Sequence, residues 1–184
     1  MFLSRLFRKK PGDDTAHRLY VILAGQARQA AFYSGGGVPD SLDGRFDMLA
    51  LHLFLVLRRL TDKQAGSSGA NLAQQLFDVM FGDMDRSLRE MGVGDLTVGK
   101  RIRTMSEAFY GRVEAYEAGL QAAVDNGPLM AALERNLYRG KAPPPAVLAC
   151  MAAYVRDTAA ALEAQAGDDF LGGKLGFVTP PNFA

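Results

Sequence analysis

The stretch "GVGDLTVGKR", Gly92 to Arg101, places Gly94, Gly99 and Lys100 one residue short of the phosphate-loop pattern G-x-x-x-x-G-K-[ST]. The chemistry of such a loop is nucleotide binding. Successive backbone N–H groups converge on phosphate, the lysine neutralises it, and the final hydroxyl holds magnesium. Here the final residue is Arg101, a cation where a hydroxyl is needed. The loop also requires a buried strand to deliver it. The flanking segments "FDVMFGDMDRSLREM" and "KRIRTMSEAFYGRVEAYEAGL" read as helices, and no later apolar run ends in Asp as a second metal ligand. The glycines therefore read as punctuation, with Gly92 a left-handed helix end and Gly94 a tight turn. Thr97 is then the N-cap of the next helix, and Lys100 lies on its first turn.

Other reactive residue types are sparse. Asp78, Asp83 and Asp85 form an acidic cluster, but helical spacing turns Asp83 away from the other two and no His follows at i+3 or i+4. A solvated face with an Asp85–Arg89 i, i+4 pair accounts for them. Arg45, His52 and Arg59 fall at i, i+7 and i+14, one line along a helix. Two readings of His52 stand side by side: a core histidine bonded to an acid or a tyrosine, or the middle of a basic strip that receives a partner. Lys100 and Arg101 in "KRIR", followed by Tyr110 and Arg112, read either as a second contact surface, since cations in a helix's first turns weakly favour an outside anion, or as a charged helix start facing water. With two histidines, one cysteine and no Ser/His/Asp spacing, no nucleophile with its base is assembled. The reading is that of a protein that is not an enzyme, with no cofactor and no metal.

The elements that must position these residues repeat every three to four residues throughout, and no segment alternates as a half-buried strand does. The expected fold is all-α, a single-domain bundle of about six helices. The first runs from Asp14 to Tyr33 and ends at "SGGGVPDS", where Asp40 or Ser41 caps the second. The second, "GRFDMLALHLFLVLRRL", is apolar on nearly every side and is the central helix. "TDKQAGSSGAN" is a loop, after which Leu72, Leu76, Met80, Met84, Leu88 and Met91 stripe a third helix. A fourth carries Val98, Ile102, Phe109 and Tyr116. A fifth is centred on Leu133, and a sixth runs through Leu148, Met151, Val155 and Leu162. The tail "FLGGKLGFVTPPNFA" is expected to lie extended along the body through Phe170, Phe177 and Phe183.

The 184 residues are 48% hydrophobic, which suits one substantial core, and acidic and basic residues nearly cancel at a formal +1. No chain-wide field calls for nucleic acid. The asymmetry lies in the tip, residues 1–12, where Arg5, Arg8, Lys9 and Lys10 stand among Phe2, Leu3, Leu6 and Phe7, ahead of one domain over 13–184. The tip has no signal-peptide pattern and reads either as a peripheral contact of residues 1–10 with an anionic membrane or as a frayed terminus, since so short a helix is not stable alone. The longest apolar run, Met48 to Leu57, is too short to span a bilayer. The lone Cys150 reads as a small buried residue in a reducing compartment. The expected location is cytoplasmic, at the inner face of the cytoplasmic membrane.

Taken in order, Pro39-Asp40, Arg45-Phe46-Asp47 with His52, Asp83-Met84-Asp85, Gly92-Val93-Gly94-Asp95 and Ala108-Phe109-Tyr110-Gly111-Arg112 make up a set. Over Tyr20 to Leu120 the chain resembles the ubiquinol–cytochrome c reductase (complex III) assembly chaperone family in its alphaproteobacterial form. The resemblance implies an all-helical, non-catalytic chaperone whose partner is apo-cytochrome b or an early complex III intermediate. Mitochondrial relatives act with a small partner and near the ribosome, the one nucleic-acid proximity it implies. From those motifs and helix geometry, the expected partner-binding residues are Arg45, His52, Arg59, Asp85, Arg103 and Tyr110. The competing readings are a peripheral membrane adaptor and a lipid- or quinone-binding helical protein without a specific client.

Overall fold

The computed structural model describes residues 13–62, 66–122, 125–141 and 143–183. The basic tip, with the membrane contact expected of it, lies outside the described residues. Those residues form eight helices and no strand: α1 Asp13–Ala27, α2 Ala30–Ser34, α3 Leu42–Leu60, α4 Gly66–Glu90, α5 Asp95–Gln121, α6 Gly127–Asn136, α7 Pro145–Ala164 and α8 Gly167–Leu171.

α3 is the central helix, as its all-round apolar sequence predicts. It packs against α1, α4, α5 and α7, and its residues from Phe46 to Val56 are all buried. The Ser41 hydroxyl accepts the Gly44 N–H at 3.1 Å, fixing the helix start. A side chain at Gly44 could not fit, because its Cβ would meet the Pro39 carbonyl oxygen at 2.0 Å.

Four boundaries differ from the sequence reading. The expected first helix breaks after Ala27 and resumes at Ala30, because the extended backbone of Gln29 redirects the chain so that Phe32 is fully buried. The Tyr33 hydroxyl donates to the Ala27 carbonyl at 2.8 Å and satisfies the broken end. The expected loop "TDKQAGSSGAN" is already helical from Gly66, with Gly69 and Leu72 buried, so tertiary packing overrides weak local propensity. α5 starts at Asp95 with Gly94 as its N-cap. Thr97 is therefore inside the helix rather than capping it, and Lys100 lies in the second turn. The tail is not extended from Phe170, which is buried within α8; it runs free of helix from Lys174. Beyond α8 the tail is a strap. Gly176 and the Gln165 side chain exchange hydrogen bonds of 2.7 and 3.0 Å, and Gln26 donates to the Val178 carbonyl at 2.9 Å.

Candidate functional site

Gly92, at φ +81°, ends α4 in the left-handed conformation expected of it, and the chain turns through Gly94 into α5. Arg89 holds that corner, pairing with Asp85 at 2.6 Å one turn back and with Asp95 at the start of α5. No strand enters it, so the phosphate-loop likeness has no structural counterpart.

The corner instead forms one end of a groove of about 720 Å³ between the start of α3, the last turns of α4 and the first half of α5. From α3 come Leu42, Asp43 and Phe46; from α4, Met84, Leu88 and Met91. From α5 come Thr97, Lys100, Arg101, Thr104, Met105, Ala108 and Arg112, which share one face of the helix at i, i+3, i+4 and i+7 spacings. Three methionines, Met84 and Met91 at the end of α4 and Met105 on α5, make an apolar surface of adaptable shape. Lys100 and Arg101 are exposed and have no ion-pair partner among the described residues.

The inner side of the groove rests on a buried ion cluster. Asp47 on α3 is 0% exposed, and its two carboxylate oxygens each accept a guanidinium bond of 2.7 Å, one from Arg112 and one from Arg139. Arg112 also lies 5.7 Å from the centre of the Phe46 ring, a cation–π contact. Burial outweighs the opposing hydrogen bonds and charges of Arg139 and Arg112 and leaves the Asp47 carboxyl above the usual carboxylate range. With two cations in contact the residue is held as an ion, and removing either guanidinium would leave one buried carboxylate oxygen without its hydrogen bond. Arg139 reaches the cluster from the turn after α6 with φ +55°, a left-handed backbone that a non-glycine residue adopts only when held there. Its Nη1 also bonds Asp43 at 3.1 Å, so Arg139 ties the turn after α6 to the start of α3.

The sequence-predicted contact residues are distributed differently. His52 is fully buried, which corrects the basic strip: Arg45 and Arg59 are separated by a core side chain rather than joined by a surface one. His52 Nδ1 lies 2.8 Å from the Met48 carbonyl, which can only accept, so the proton is on Nδ1. Nε2 then accepts from the Tyr154 hydroxyl at 2.8 Å, and that hydroxyl accepts from Gln26. Burial pushes the His52 pKa down to about 4 and the Tyr154 pKa up to about 12. Arg45 is exposed and pairs with Asp40 at 2.7 Å. Arg59 donates to the carbonyls of Leu162 and Gln165 at the end of α7. Arg59 and Tyr110 meet at a second hollow, of about 470 Å³, where Tyr110 stacks on Phe77 at 5.9 Å and Arg58 is held by Glu117 and Glu163. Arg103 is exposed on α5, paired with Glu107 and outside the groove.

Sequence reasoning missed Asp47 and Arg139 as partners. Asp47 and Arg112 each stood inside a quoted motif, "RFD" and "AFYGR", but nothing in linear spacing pairs residues so far apart.

A family model described as ubiquinol-cytochrome C chaperone matches residues 35–177, well past the Leu120 limit of the sequence resemblance. A Xenopus laevis protein described as ubiquinol-cytochrome-c reductase complex assembly factor 1 is 29% identical over 156 residues, 85% of this chain and 76% of that protein. The Homo sapiens protein of that description is 28% identical over 85% of this chain, which spans about half of its length, 51%. The crystal structure of a Cbp3 homolog from Brucella abortus matches with a TM-score of 0.81 at 36% identity, covering 92% of this chain and 91% of that one. The family match spans every element that builds the groove and its ion cluster, and by it the chain belongs to the ubiquinol–cytochrome c chaperone family.

Proposed function

We propose that this protein is a non-catalytic chaperone that binds newly made apo-cytochrome b, or an early intermediate containing it, during biogenesis of respiratory complex III. The observation that carries this reading is the family match over residues 35–177. The relatives' descriptions name assembly of the ubiquinol–cytochrome c reductase complex, which supports a client among that complex's components. Among the described helices none is long and apolar enough to cross a membrane. The proposed meeting place with the client is the inner face of the cytoplasmic membrane, with the tip at residues 1–10 as the proposed anchor.

Of the expected contact residues, Arg45, Arg103 and Tyr110 are exposed for such binding, Asp85 is half-buried and paired with Arg89, Arg59 is half-buried at the second hollow, and His52 acts only through the core. The test is a strain lacking the gene, complemented by an affinity-tagged copy. Cytochrome b co-purifies with the tagged protein, and complex III is lost in the deletion. A deletion strain that assembles a full complement of complex III overturns the reading.

A further inference from the structure

We propose that the groove between α3, α4 and α5 is the client seat, and that it takes an apolar helical segment with carboxylates along its flank. This rests on the chaperone reading and specifies what that chaperone grips. The shape comes first. The α5 wall runs from Thr97 to Arg112 along one helical face, about 22 Å at 1.5 Å per residue. A straight trough walled by helix faces suits a rod, and an amphipathic helix is the ligand that presents side chains at the matching period. Next comes the surface. Met84, Met91 and Met105 with Leu42, Phe46 and Leu88 offer an apolar surface that re-packs around varied side chains, as a binder of varied apolar segments requires.

Charge selects the occupant. Lys100, Arg101, Arg112 and Arg139 line the groove, against Asp43 on its edge and Asp47 beneath it. Four cations against two carboxylates leave two positive charges over, and those are Lys100 and Arg101, which have no partner of their own among the described residues. The chain's own basic tip is excluded as the occupant by like charge, and two copies meeting groove to groove would oppose their cations. Arg139 adds a response: its bond to the exposed Asp43 can be exchanged for a client carboxylate while its bond to Asp47 stays.

The experiment uses the full chain and two fluorescent synthetic peptides of about 16 residues, the span of the α5 wall. One has leucines on one helical face and glutamates on its flanks; the other has lysine in place of every glutamate. Fluorescence anisotropy is expected to show the glutamate peptide binding at least tenfold tighter. In the double variant Lys100→Glu/Arg101→Glu the preference falls to twofold or less, and in Arg86→Glu, an exposed position on α4 outside the groove, it is retained. Because both residues are exposed, the double variant should melt as the parent does. Should it not, Lys100→Gln/Arg101→Gln, which adds no charge, must lower the preference as well. Equal binding of the two peptides overturns the proposal, as does a preference that survives the double variant. So does capture of phosphatidylglycerol vesicles through Lys100 and Arg101 with no peptide binding, which would make the groove a lipid site. Loss of complex III on gene deletion with any of those outcomes leaves the chaperone reading standing and the groove wrong. Peptide binding as expected, with normal complex III in the deletion strain, does the reverse.

Discussion

At the scale of single residues, two polar groups sit fully buried on one helix and are handled in opposite ways. Asp47 is kept charged and matched by two guanidiniums. His52 is kept neutral by enclosure: its hydrogen bonds go to a carbonyl and a hydroxyl, and the rings of Phe32, Tyr154 and Phe177 lie 5.4 to 5.8 Å from it. The neutral form has a consequence for stability. With a pKa near 4 in the fold and 6.5 when free, His52 takes up a proton more readily in the unfolded chain. Its contribution is therefore whole above pH 6.5 and is lost as pH falls toward 4. Between pH 7 and pH 5 the loss is about 2 kcal/mol. Urea denaturation at the two pH values should show this loss in the parent chain and not in His52→Gln. An equal pH dependence in the two would mean that His52 is not held neutral by the core.

At the scale of elements, α5 does two jobs with two faces. One face buries Val98, Phe109, Tyr116 and Gly119 against the bundle, and the close approach of α6 at Gly119 leaves only 2.7 Å between a would-be Cβ and the Leu129 Cα. The other face walls the groove. Gly99 belongs to neither: no atom lies within 4 Å of where its Cβ would be. In a phosphate loop Gly99 would be indispensable; in a helix interior it is only a weak point. Gly99→Ala should therefore stabilise the protein by about 1 kcal/mol through helix propensity, a rise of a few degrees in Tm by calorimetry. A destabilised variant would mean that the glycine is needed for something that the helix does not show.

At the scale of the whole molecule, the strap closes the core from outside. Phe177 packs on the His52 ring at 5.4 Å and Phe183 on Phe32 at 6.4 Å. Both are half-buried, so together they contribute on the order of 3 kcal/mol of apolar burial. Deleting residues 174–184 should lower the unfolding free energy by about that amount. It should also reduce the acid sensitivity assigned to His52, because water then reaches the ring. A truncated chain with the same urea midpoint as the parent would show that the strap only lies against a core already complete. The groove is remote from this strap, on α3, α4 and α5, so the truncated chain should keep its preference for the glutamate peptide.

Helix content, the central position of α3, the Gly92 stop and the Asp85–Arg89 pair were legible in the sequence, because each depends on residues within a few positions of one another. Apolar period, capping chemistry and i, i+4 charge pairs are local interactions, and local interactions are written in linear order. The family, too, was legible from the order of its motifs. The break at Gln29, the helical start at Gly66, the enclosure of His52 and the Asp47–Arg112–Arg139 cluster were not. Each is decided by burial against elements distant in the chain: Phe32 enters the core at the cost of helix continuity, and Asp47 accepts its partners from α5 and from the turn after α6. The groove exists for the same reason. Its walls are one face each of helices whose sequences say only that those faces are mixed in character, and the packing of α3, α4 and α5 alone sets them opposite one another.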